Sequence, residues 1–174
     1  MTRRPLILIL LCAILLGWGA SVFGQTGEIP KKYQQQIAYI YNIVQHTTLP
    51  RAKQPDPFVI GTYGKHPFQN GLETLEGRGL RDKRGIQVLH CAKPADLNRC
   101  HLVYIGPGAA GVNWELLHQN GIVTIVDNEL LPKNEGILEF YVFRNKGRFR
   151  LDPKQMNACK IKFGAPLMQV LRAW

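Results

Sequence analysis

Three glycines and an aspartate form the one nucleotide-binding motif that the chain spells outright. Gly106, Gly108 and Gly111 read G-x-G-x-x-G within GPGAAG, after the apolar run CHLVYI and before the helix-like VNWELLHQN, and a second apolar run ends at Asp127. In a dinucleotide-binding unit such glycines let backbone approach a pyrophosphate at a helix start, and an acid at the end of the second strand takes the ribose hydroxyls. Asp127 holds that place. Position in the chain argues the other way, because the fingerprint normally follows the first strand, whereas here two strand patterns and two helical patterns precede the strand that leads into Gly106. The stretch then reads as a strand-to-helix turn, with an anion as the ligand that Gly106, Gly108 and Gly111 leave room for.

Other chemistries find less to work with. Serine occurs once, at Ser21, so no serine nucleophile stands in the body of the chain. His90-Cys91 and Cys100-His101 supply the residue types of a thiol–imidazole pair or a zinc site. Neighbours on a strand point to opposite faces, and adjacent ligands lack the two- to four-residue spacing of paired zinc ligands. Glu73 and Glu76 read as solvated residues flanking buried leucines, and His46, His66 and His118 as isolated histidines. The expectation is a non-enzyme with no catalytic residue, no cofactor and no metal.

The N-terminus reads as an export signal. Arg3 and Arg4 precede an apolar run from Leu6 to Leu16, and small residues around Val22-Phe23-Gly24 offer a cleavage site, placing the signal at 1–24 and the mature domain at 25–174. An uncleaved anchor is the alternative. The formal charge of +10 falls to +8 when Arg3 and Arg4 leave with the signal. An exported basic domain meets acidic headgroups and acidic protein surfaces rather than nucleic acid. Outside the cytoplasm the default fate of cysteines is a disulfide. Cys91 with Cys100 is preferred to pairings with Cys159, although spacing does not fix connectivity, and three mature cysteines leave one outside any intramolecular bridge.

Periodicity supplies the elements that carry these residues. Tyr33, Ile37, Ile40, Tyr41 and Val44 recur at helical spacing, and Thr47, Thr48 and Pro50 end that helix. Phe58 to Tyr63 and Ile86 to Leu89 read as buried strands, with a short helix between Gly64 and Gly77. Pro94 and Asp96 mark a turn or helix start; Ile137 to Arg144 and Arg148 to Leu151 form a hairpin around Asn145-Lys146-Gly147. Asp152-Pro153 starts a helix, and Ala165 to Trp174 supplies a last one. The fold class is α/β: a single domain with a mixed, mostly parallel sheet of about six strands and a C-terminal β-hairpin, flanked by helices.

Six segments in order resemble the YfiR family of small periplasmic regulators. They are AYIYNI at 38–43, VIGTYGKHPF at 59–68, LNRCHLVYI at 97–105, GIVTIVD at 121–127, EGILEF at 135–140 and GRFR at 147–150. Their order and spacing match the family from about Tyr33 to Leu171. The resemblance implies a periplasmic protein that restrains an inner-membrane diguanylate cyclase through its periplasmic region, lowering cyclic di-GMP and biofilm formation. It also implies sequestration by an outer-membrane lipoprotein, a homodimer, and disulfides that affect stability and redox response. On this reading Tyr39, Tyr41 and Asn42 of the first helix are candidate partner contacts, beside the hairpin.

Overall fold

The computed structural model describes residues 28–50, 57–131, 135–144 and 146–173. The signal segment expected at 1–24 lies outside the described residues, as does most of the proline-rich crossing at 51–57. Helix α1, Lys31–Gln45, buries Gln36, Ile37, Ile40, Ile43 and Val44 along one stripe. It has no side-chain cap at Pro30 and no acid in its first turn, so packing of that stripe, not end chemistry, holds it. The helix stops where Thr47, Thr48 and Pro50 predict, and Thr47–Thr48 forms a short strand β1.

The main sheet contains β2 (Phe58–Tyr63), β3 (Ile86–Cys91), β4 (Leu102–Ile105), β5 (Val123–Asp127), β6 (Leu138–Phe143) and β7 (Lys146–Leu151). Its order is β3-β2-β4-β5-β6-β7, completed by the two-residue strand β9, Arg172–Ala173. All pairings are parallel except the β6–β7 hairpin. A small separate sheet joins β1 to β8, Lys162–Phe163. Strands β4 and β5 are buried along their whole length, as continuous apolar runs between covered faces require.

One face of the sheet packs against α1 through Ile60, Leu102, Ile125, Leu138 and Phe140. The opposite face carries Val103, Ile105 and Val126 under Leu97 and Leu117. Leu117 belongs to α2, Trp114–Gln119, which Asn113 caps by accepting from the Leu116 amide. Asp152 similarly accepts from the amides of Lys154 and Gln155 at the start of α3, Pro153–Ala158.

Three local expectations change. Only the 3-10 turn Leu72–Leu75 forms between Gly64 and Gly77; Phe68 is fully buried but sits in a preceding turn, since Pro67 and the left-handed Gln69 interrupt a helix. The hairpin turns earlier than Asn145-Lys146-Gly147: Phe143 pairs with Lys146, and Arg144 takes the left-handed conformation. Gly147 therefore lies in strand β7, where an added Cβ would stand 2.8 Å from the Phe140 ring. The last helix, α4, covers only Ala165–Val170; the chain then extends as β9 beside Arg150 and Leu151.

Candidate functional site

Helix geometry divides the three candidate contacts of α1. Tyr39 and Asn42 share an exposed flank with Gln35 and Ala38, three residues bringing each side chain back to nearly the same side. Tyr41 falls on the other flank, where its hydroxyl donates to the Gly79 carbonyl at 3.3 Å and Arg78 lies over its ring at 5.6 Å. Tyr41 is thus committed to an internal contact and does not share the surface of Tyr39 and Asn42.

Tyr39 is 37% exposed and meets Phe149 of β7 edge-on, with ring centroids 5.8 Å apart. A cavity of about 280 Å³ lies between it, Asn42 and the hairpin residues Lys146 and Gly147. A second, of about 250 Å³, opens beside it toward Arg148, Leu167 and Leu171. Val142 and Phe143 extend apolar surface along the hairpin, while Arg144, Lys146 and Arg148 make its rim cationic. Large, rigid aromatic surface beside unfilled space and basic groups suits contact with another protein.

The structure explains how Cys91 and Cys100 meet. The 3-10 segment Pro94–Arg99 carries the chain back under the sheet, and the two sulphurs stand 3.7 Å apart as thiols. Gly61, in the middle of β2, makes this possible: a Cβ there would overlap the Cys100 sulphur. The contact with Cys100 lowers the Cys91 pKa, against the opposing effect of burial. Cys159 is buried elsewhere, and burial pushes its thiol up to about 12, which disfavours the reactive thiolate in the folded protein.

His90 and His101 take the other face. His101 Nδ1 accepts from the Val59 amide at 2.8 Å, and its ring packs against Phe58. Among the described residues no group of three His, Cys, Asp or Glu side chains is arranged to hold a metal.

His66 and Glu73 are not the isolated or solvated residues expected, whereas Glu76 is exposed. His90 bridges Thr62 Oγ1 and Glu73 Oε1, each at 2.7 Å, and His66 stacks on His90 with centroids 5.3 Å apart. Glu76 accepts from the Val88 amide, so both carboxylates tie down the outer strand β3. Thr62 is 2% exposed while the His90 and Glu73 side chains are 51% and 32% exposed, so the row clamps the sheet edge with its hydroxyl end buried and its imidazole–carboxylate end at the surface. Its parts come from three separate segments, and only the paired register of Thr62 and His90 could have signalled it.

The glycine turn lies at a topological switch point. Connections leave β2 toward β3 and β4 toward β5, the arrangement that opens a ligand crevice at the strand ends of doubly wound sheets. Here the crevice is shut by backbone. Lys65 N–H donates to the Pro107 carbonyl and Gly106 N–H to the Tyr63 carbonyl, while a Cβ on Gly106 would overlap the Lys65 carbonyl. Gly108 and Gly111 take positive φ to turn the chain, and Asn113 already caps the six-residue α2. The close approach that Gly106 permits is therefore to protein backbone.

Asp127 is fully buried beneath the α1 side, where burial raises its pKa. Its Oδ1 accepts from the Glu129 amide at 2.9 Å, so it closes a turn and does not face a ribose site. The buried atoms Tyr104 Oη, Asp127 Oδ2 and both polar atoms of Gln36 lack protein partners.

Residues 33–172 match the family described as YfiR/HmsC-like. No curated protein matches the chain. Among the described residues no helix is long and apolar enough to cross a membrane.

Proposed function

Because this chain belongs to the YfiR/HmsC-like family, we propose that it is an exported periplasmic regulator that restrains an inner-membrane diguanylate cyclase. The partner is the cyclase's periplasmic region, and restraint arises because the regulator binds one of its two conformations more tightly. Cyclic di-GMP and biofilm formation fall as a result. The nucleotide chemistry belongs to the partner on the far side of the membrane, and this chain acts by contact, not as an enzyme. An outer-membrane lipoprotein that sequesters the regulator would lift the restraint. A homodimer and a Cys91–Cys100 bridge complete the reading.

The observation that carries the proposal is the exposed Tyr39 ring between two unfilled cavities, flanked by Asn42 and the basic hairpin. The shut crevice beside Gly106 supports contact over nucleotide binding by this chain. The test is cyclic di-GMP in cells carrying the regulator with Tyr39→Ala and Asn42→Ala, together with its recovery from detergent-solubilised membranes. The proposal expects the second messenger to rise and a cyclase to be lost from the recovered complex. Unchanged second messenger and an undiminished complex would remove this surface from the reading.

A further inference from the structure

The hairpin leaves half of a sheet edge open. Phe143 and Lys146 flank a two-residue turn, which makes them a hydrogen-bonded pair; alternation then makes Tyr141–Arg148 another such pair and Val142–Gly147 and Phe140–Phe149 non-hydrogen-bonded ones. The N–H and C=O of Gly147 and the N–H of Phe149 consequently point away from β6. Strand β9 covers only Arg150 and Leu151, so among the described residues no strand lies beside 146–149.

The two sides of that open edge differ. Toward α1 and α4 lies the cavity of about 250 Å³ with Tyr39, Leu167 and Leu171 on its wall. On the alternate positions of β7 stand Lys146 and Arg148, and Arg148 Nε is buried without a protein partner. Arg150, two residues on, shows how such an arginine is satisfied: it donates twice to Glu139, at 2.8 Å each. Arg148 faces Tyr141 across the hairpin and has no equivalent carboxylate there.

We propose that the 146–149 edge of β7 receives an extended acidic segment of a partner protein, which adds a strand through Gly147 and Phe149 and presents a carboxylate to Arg148. Strand alternation sets the segment's pattern. Apolar residues enter beside Tyr39 and Leu171, and Asp or Glu residues between them meet Arg148 and Lys146. The inference rests on the reading of this face as the partner-binding surface and names the chemistry that the surface selects.

Selection of phage-displayed random dodecapeptides on the mature protein tests it without the natural partner. Enriched peptides should alternate acidic with apolar residues, slow amide exchange at Gly147 and Phe149, and bind Arg148→Glu at least tenfold more weakly. Arg148→Gln keeps most of the side-chain stem, should melt like the parent, and should weaken binding as well. The proposal is overturned if no peptide is enriched, if enriched peptides lack acids, if protection falls elsewhere, or if both variants bind unchanged. Peptide binding lost in Arg148→Gln while cyclase restraint persists would leave the edge site standing and refute the surface proposed for the cyclase. Restraint lost in Tyr39→Ala while peptides bind the parent without regard to Arg148 would do the reverse.

Discussion

The sulphurs of Cys91 and Cys100 approach to 3.7 Å across the one position of β2, Gly61, that has no side chain to separate them. A strand end and the start of the next parallel strand ordinarily lie at opposite edges of a sheet. Here the eight residues 92–99 return beneath the sheet, and the missing Cβ at Gly61 lets Cys100 sit against its middle.

Oxidised glutathione should therefore close this pair first. Two thiols lose two protons and two electrons, which the reagent takes up as reduced glutathione, and a bond near 2.05 Å replaces the present separation. The bridge should add about 2–3 kcal/mol of stability. Thermal melts with and without reductant, and alkylation of the unfolded protein leaving only Cys159 reactive, are the measurements. A reductant effect that survives in Cys91→Ser would remove the assignment.

Replacement of Gly61 by alanine tests the same geometry from the other side. The new methyl group overlaps the Cys100 sulphur and crowds Val103, so the change should cost about 1–3 kcal/mol. It should also slow bridge formation. Denaturant unfolding and the oxidation time course report the two effects separately, and a variant as stable and as readily oxidised as the parent would contradict the packing described.

Strand positions and the faces of α1 were legible in the sequence because burial imposes a period: β2 spans the Phe58–Tyr63 run, and α1 buries the stripe that Ile37, Ile40 and Val44 mark. The two faces of a strand likewise separated Cys91 and Cys100 from His90 and His101. What was not legible depends on partners distant in sequence. The clamp of His90 by Thr62 and Glu73 needs β2 beside β3 and the 3-10 turn above them. The placement of β9 needs a free edge on β7, and the apolar composition of Ala165–Trp174 suits a helix equally well. Tyr41 was grouped with Tyr39 on the reading that the resemblance implies, whereas helical phase, which already counted it with Ile37, Ile40 and Val44, sends it to the other flank.

Acidification should loosen the protein through His66 and His118. Burial holds the His66 pKa below its ordinary value, helped by the stacked His90 and opposed by Glu73; burial likewise lowers His118, against Gln155, Glu135 and Asp152. An imidazole depressed in the folded state takes up its proton more readily when unfolded. Its stabilising effect is complete above the unfolded value of about 6.5 and is lost as pH falls from there through the folded pKa. Melting points at pH 7.5 and 5.5 should differ less in His118→Gln and His66→Phe than in the parent. Equal slopes would exclude these rings as the source.

Asp127 contributes with the opposite sign. Its pKa is raised, mainly by burial, so the folded state holds the proton better and stability falls as pH rises above the ordinary 3.8 through the folded value. Asp127→Asn keeps an oxygen for the Glu129 amide while removing the buried charge. Urea unfolding should show the variant at least as stable as the parent at pH 7, with less change between pH 4 and 7. A marked loss of stability at pH 7 would mean that the ionised carboxylate is required.

Tyr39 and Tyr41 separate contact with a partner from contact within the fold. Tyr39 meets Phe149 edge-on and keeps 37% of its surface exposed, so Tyr39→Ala should cost only about 0.5–1.5 kcal/mol while weakening partner recovery at least tenfold. Tyr41 packs against the core cluster on the α1 side of the sheet and donates to the Gly79 carbonyl, so Tyr41→Ala should destabilise by about 2 kcal/mol or more and leave partner recovery intact under folding conditions. Unfolding curves and membrane co-purification on the two variants give the comparison. Partner binding that depends on Tyr41 more than on Tyr39 would move the contact surface to the flank of Arg78 and Gly79.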